Sequence, residues 1–207
     1  NKYAAKDPTL HIHGLGQQMI APKALSEQAV NKIIRKAKVA GNLRDHALLH
    51  FLAATGLRAS EVAAVKCSDV QLGGRSGWVI VRSGKGRKQR RVPIHVKARD
   101  ALQAFLASEG RDKIAEHAAE PLFRTQEGNA MTTYAIWYTV KKYAAQAGVE
   151  NVSPHTFRHT VATRLVRNPN VDIVTAATFL GHSRLDTTAR YSRPSDEDLE
   201  KAAEEIS

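Results

Sequence analysis

The sequence predicts an α+β fold that is mainly α: a helical domain with a small three-stranded antiparallel sheet whose hairpin carries a lysine. Three observations support that expectation. Apolar residues recur at helical spacing in successive stretches, several opened by a Ser or Thr and several closed by a Gly. Short runs between residues 70 and 94 alternate in the manner of strands. With 207 residues, 43% of them hydrophobic, the chain is long enough to bury a core as one large domain or as one domain plus an arm.

Residues 1–23 carry Pro8, Gly14, Gly16 and Pro22 without a sustained period, so they are expected to be an extended linker or arm. The first residue is Asn rather than Met, and the chain is expected to begin inside a longer protein. His11 and His13 alternate in the arm, but no further ligands accompany them. Ser26 caps a helix running to about Ala40, with Val30, Ile33, Ile34 and Ala37 on one face. A second helix from Leu43 to Thr55 buries Ala47, Leu48, Phe51 and Leu52, and Gly56 ends it. His46 and His50 lie four apart within it, without the glutamate of a metalloprotease helix, which reads as a surface or half-buried pair.

Arg58 follows the Gly56 turn and opens a short helix in TGLRASEVAAVKCSDV, with Glu61 one turn later. Glu61 can hold the Arg58 guanidinium while leaving donors for a ligand; the same pair also suits an ordinary helical ion pair worth about 0.3 to 0.5 kcal/mol. Val70 to Leu72, Trp78 to Arg82 and Gln89 to Ile94 are the expected strands. The last two are joined by a hairpin tip, Gly84-Lys85-Gly86-Arg87-Lys88, and with Arg90 and Arg91 it makes a basic finger. A finger of this kind can enter a groove, and its charges equally suit a solvated edge that discourages aggregation.

Val96 to Ser108 repeats the helical pattern, and residues 111–130 are charged and irregular, hence a loop. Thr132 or Thr133 caps a helix to about Ala147 with Ile136, Val140, Tyr143 and Ala144 inward; Tyr134, Trp137 and Lys141 share another face, suited to packing or to DNA backbone. Ser153 and Pro154 start the next helix, which sets His155 and Arg158 one turn apart on one face. Leu180-Gly181 closes the helix after it, placing His182 at an exposed turn. Tyr191 follows, and Ser195 with Asp198 caps a last helix striped by Leu199, Ala202, Ala203 and Ile206, a stripe that needs a groove on its own body or on a neighbour's. The expected divisions are therefore an arm (1–23), a main domain (24–194) and a terminal helix (195–207).

Charge narrows the partners. Thirty-one Lys+Arg against 20 Asp+Glu give a formal charge of +11, a potential that draws polyanions, nucleic acid first. No run approaches a membrane span and no leader opens the chain. The single Cys67 excludes an internal disulfide, reads as buried packing and points to the cytoplasm.

Arg58, Lys85, His155, Arg158, His182 and Tyr191 together supply the roles of metal-free phosphoryl transfer to a tyrosine. Two guanidiniums clamp nonbridging oxygens as charge builds; at an effective dielectric of about 20, a charge pair about 4 Å apart is worth about 4 kcal/mol before desolvation. His155 is placed to accept the phenol proton, His182 to bond a phosphate oxygen or steer the nucleophile, and Lys85 to protonate the leaving oxygen. No cofactor is needed. His155 and His159 are four apart, but an arginine stands where a zinc helix has its glutamate, so no metal is expected.

These motifs, TGLRASEV, GKGRKQRRVP, HTFRH, LGHS and TTARY over residues 24–194, resemble the catalytic domain of the tyrosine recombinases, the phage integrase family. The resemblance implies DNA cleavage through a 3'-phosphotyrosine, attack by the 5'-hydroxyl of a partner strand and a Holliday junction inside a homotetramer on two sites of double-stranded DNA. It implies that Arg58 and Arg158 bind the scissile phosphate, that Glu61 supports the first arginine, and that residues 195–206 dock on a neighbouring protomer. It also implies a preceding helical DNA-clamping domain, with residues 1–23 as its linker. The setting would be integration or excision, resolution of mobile elements, or resolution of chromosome dimers, in the bacterial cytoplasm at the nucleoid; the residues do not choose among them. Cys67 stands where many relatives carry a tryptophan. Two rival readings use the same charge: strand relaxation in the manner of a type IB topoisomerase, and noncatalytic DNA binding.

Overall fold

The computed structural model describes residues 24–82, 89–182, 187 and 188. Among the described residues seven α-helices and three strands follow in the order α1 (Glu27–Val39), α2 (Leu43–Thr55), α3 (Ala59–Ala64), β1 (Val70–Leu72), β2 (Gly77–Arg82), β3 (Gln89–Pro93), α4 (Val96–Ser108), α5 (Thr133–Gln146), α6 (Pro154–Val166) and α7 (Ile173–Leu180). The expected arm, the hairpin tip and the terminal helix lie outside the described residues.

Capping chemistry sets most boundaries. Ser26, Asn42, Thr132, Ser153 and Asp172 each accept a backbone N–H in the first turn of their helix. Gly56 ends α2 at φ +59, a left-handed turn, and its Cα packs so close to α6 that an added Cβ would lie 3.0 Å from Val161 Cβ. Helix α2 is the hub of the core. Ala47, Leu48, Leu49, Phe51 and Leu52 are all fully buried, and α1, α4 and α6 pack around it.

The sheet has the order β1-β2-β3 with both pairs antiparallel. Val79 sits opposite Val92 and Val81 opposite Arg90, so Arg90 shares the inward face of the sheet. This corrects the expectation that Arg90 belongs to an outward basic finger. Arg91 does point out, its guanidinium 4.8 Å from the centre of the Trp78 ring.

Residues 111–130 are more ordered than their composition suggested. Arg111 is 1% exposed, stacked on Phe105 and bonded to the carbonyls of Pro121 (2.9 Å) and Leu122 (3.2 Å), with Glu109 as its ionic partner. A 3-10 turn at Ile114–His117 and backbone bridges Lys66–Pro121 and Arg124–Ala130 complete the segment. Its order comes from one buried cation held by carbonyls and carboxylates rather than from an apolar period. Cys67 is buried as expected, with Arg111 Nη1 3.5 Å from its Sγ, and burial pushes the thiol pKa up.

Candidate active site

The site forms where α3, α6, α7 and β3 meet. Arg58 is the N-cap residue of α3, directly after the α2 terminus, and its side chain is 48% exposed. Glu61, one turn on, accepts the Arg58 backbone N–H at 2.8 Å and an Arg58 Nη1 bond at 3.2 Å. Arg158, on α6, is buried: it donates to the Gly56 carbonyl at 2.9 Å and to the Leu180 carbonyl at 2.7 Å, and its Nη1 lies 3.9 Å from Glu61. His155, in the first turn of the same helix, is exposed between the buried Pro154 and Thr156.

Arg58, His155 and Arg158 line one open concavity of about 470 Å³, together with Ser60, Thr133 and Trp137. The structure thus brings together three of the six residues singled out in the sequence, Arg58, His155 and Arg158. An open cradle of two guanidiniums and an imidazole at a helix N-terminus suits a divided anionic charge.

Glu61 is the electrostatic pivot. Arg90 donates Nη1 and Nη2 to its two oxygens, both at 2.9 Å, in a side chain only 12% exposed. Burial alone would raise the Glu61 pKa; the Arg90 hydrogen bonds, the Arg58 amide and both arginine charges outweigh it, holding the carboxyl below the usual range. Three guanidiniums thus face a single carboxylate, and the cluster keeps an excess of positive charge.

His182 follows Gly181, whose φ of +66 forms the left-handed cap of α7. It is half-buried rather than exposed as expected from sequence, because its Nδ1 turns inward to the fully buried Thr188, 2.8 Å from Oγ1. Burial first, then the charges of Arg158, Arg58 and Arg90, lower its pKa to about 4, so the imidazole is neutral at physiological pH. Behind the site His159 is buried, and burial followed by His155 lowers its pKa.

Lys85, Arg87, Lys88 and Tyr191 lie outside the described residues. Among the described residues no group of three His, Cys, Asp or Glu is arranged to hold a metal, and no helix is long and apolar enough to cross a membrane. His46 and His50 form the half-buried pair expected, their rings edge to face at 4.6 Å. Tyr134 and Trp137 are exposed on α5 and stack at 5.9 Å, with Lys141 5.7 Å from the Trp137 ring.

The sequence pattern of the Phage integrase family matches residues 23–198. The chain belongs to the phage integrase family. Among curated members it is 38% identical over 196 residues to "Tyrosine recombinase XerD" of Ralstonia nicotianae, covering 93% of this chain and 63% of that protein. It is 37% identical over 183 residues to "Tyrosine recombinase XerA" of Thermococcus kodakarensis, covering 88% of this chain and 62% of that one. The crystal structure of a XerA recombinase superposes with a TM-score of 0.72 at 31% identity, over 89% of this chain and 64% of that one. This integrase-family chain therefore spans less than two thirds of the length of these relatives, and its helical fold with a three-stranded sheet is theirs.

Two participants escaped sequence reasoning in this family member. Thr188 gave no signal beyond its place before Tyr191. The inward turn of Arg90 was readable from alternation, since Val92 and Ile94, two and four residues on, are apolar and share its face.

Proposed function

We propose that this chain is the DNA-cleaving and rejoining domain of a site-specific recombinase that works through a 3'-phosphotyrosine on Tyr191. The observation that carries the reading is the concavity in which Arg58, Arg158 and His155 converge. The names of the relatives, tyrosine recombinases XerD and XerA, agree with it.

The Tyr191 phenol oxygen attacks the scissile phosphorus and displaces the 5'-oxygen of the next nucleotide. His155 accepts the phenol proton, and Lys85 supplies one to the departing oxygen. Arg58 and Arg158 bind the nonbridging oxygens most strongly as charge grows on them, a type of donor whose loss typically costs two to three powers of ten in rate, about 10²–10³. His182, neutral in the free protein, bonds a phosphate oxygen. The bond energy is stored in the phosphotyrosine, and a 5'-hydroxyl from a partner strand reverses the step without ATP.

The partner is double-stranded DNA in the cytoplasm, and the assembly is a homotetramer on two sites. In it residues 195–207 dock on a neighbouring protomer and a DNA-clamping domain precedes residues 1–23. Arg87, Lys88 and Arg91 follow the phosphate backbone, and the excess charge of +11 supports that partner.

The test uses nicked duplexes selected from a randomised pool for binding, which trap the covalent complex once the short strand diffuses away. Wild type forms a protein-DNA adduct in EDTA, and Tyr191→Phe forms none. An adduct persisting in Tyr191→Phe contradicts the assignment. Relaxation of a plasmid lacking the selected site, without exchange between two marked sites, would replace it with the topoisomerase reading.

A further inference from the structure

We infer that Arg90 is a positioning residue for strand cleavage: it locks Glu61 to the last turn of α7, so that Arg58, Arg158 and His182 address the same phosphate. The inference rests on the recombinase reading above and extends it to a residue that acts through its neighbours.

All three nitrogens of the Arg90 guanidinium are engaged. Nη1 and Nη2 bond the two oxygens of Glu61, each at 2.9 Å, and Nε bonds the Phe179 carbonyl at 3.1 Å. One planar group from β3 therefore joins α3 to α7, a geometry that a fixed fork provides and an ammonium does not. The fit at α7 is close: a Cβ on Gly181 would lie 2.5 Å from Arg90 Nη1 and 2.7 Å from Cζ. Phe179 and Leu180 thus give successive carbonyls to Arg90 and Arg158, and His182 comes two residues later.

The effect reaches the substrate side through Glu61. With Arg90 spread across both oxygens, Arg58 makes one side-chain bond to Glu61, at 3.2 Å, and stays 48% exposed towards the concavity. Without that fork the carboxylate is released to pair more fully with Arg58, drawing the guanidinium back from where a phosphate would sit. Arg90 also adds to the cationic surroundings of His182, beside Arg158 and Arg58 and opposed by Glu61.

The experiment compares single-turnover cleavage of the nicked duplex by wild type, Arg90→Lys, Glu61→Gln and the double variant. Rates are taken at a temperature where circular dichroism shows each protein folded, and DNA affinity is measured by fluorescence anisotropy. Arg90→Lys is expected to cleave at least about tenfold more slowly with affinity within about twofold of wild type, a loss confined to the transition state. In the Glu61→Gln background the same change adds less than about threefold, because both substitutions act through one carboxylate.

Arg90→Gln gives a second, activity-independent readout: the His182 imidazole, followed by NMR, titrates at higher pH than in wild type because a neighbouring cation is gone. Cleavage by Arg90→Lys within twofold of wild type, affinity falling in step with rate, multiplying losses in the double variant, or an unmoved His182 titration each overturn the inference. Absence of an adduct from wild type removes the recombinase reading and this inference together; an undiminished Arg90→Lys removes this one alone.

Discussion

Arg158 donates to the carbonyl of Gly56 at 2.9 Å, across 102 positions of sequence, while its other terminal nitrogen holds Leu180 at 2.7 Å. The guanidinium is thereby fixed between the end of α2 and the end of α7, with Glu61 alongside. A group held this way meets a phosphate without reorganising.

Arg158→Lys tests that rigidity. A lysine keeps the charge but cannot satisfy both carbonyls along the same two directions. Cleavage should fall by about two to three powers of ten, the usual consequence of losing a preorganised donor. Thermal stability should fall too, since a buried carbonyl left without a donor costs about 1–3 kcal/mol. Single-turnover cleavage retained at half the wild-type rate would refute the assigned role.

Acid should destabilise the fold before carboxylates titrate. His50 and His182 are both lowered from 6.5 to about 4. Burial is the first cause for each, followed by His46, Lys97, His95 and Lys38 around His50 and by the arginines around His182. Between these values the unfolded chain binds more protons than the folded one, so stability is full above about pH 6.5 and declines towards pH 4. Melting midpoints measured from about pH 7 to about pH 4.5 should fall, and less steeply in His50→Gln. A midpoint independent of pH across that window would contradict the burial described for these rings.

Tyr143→Phe isolates the core from the site. The Tyr143 hydroxyl donates to Asp45 Oδ2 at 3.0 Å inside the protein, while Arg44 covers Oδ1 at 2.9 and 3.1 Å. Burial and then the Asp45 charge push the phenol up to about 12. Removing the hydroxyl leaves one buried carboxylate oxygen short of a donor and should cost about 1–3 kcal/mol in urea denaturation. Cleavage by the folded variant should be unchanged, and a stability equal to wild type would show that water replaces the phenol.

Much of this was legible in the sequence, for identifiable reasons. Helix ends are written in local chemistry: Ser26, Thr132 and Ser153 cap by their own side chains, and Gly56 and Gly181 stop helices by their own φ. The convergence of Arg58, His155 and Arg158 was anticipated from motif order and one-turn spacing. The illegible parts depend on contacts distant in sequence. Arg90 looked like one more charge in a basic run; alternation with Val92 marks its inward face, but its partner Glu61 lies 29 positions away and no local pattern names it. The 111–130 segment has no period because a single buried arginine, Arg111, organises it from carbonyls up to 11 residues away. His182 was expected at the surface because Gly181 marks a turn, and nothing local reveals that Thr188 covers it.

Gly56 satisfies three unrelated demands at one position: a left-handed φ of +59, an approach to Val161 so close that an added Cβ at 3.0 Å would force the valine to give way, and a carbonyl aimed at Arg158. A second-site change could widen the space at Val161, yet it would not relieve the dihedral. A saturation library at this codon should therefore be dominated by glycine, with asparagine, which already holds a left-handed φ of 56 at Asn151, as the foremost alternative.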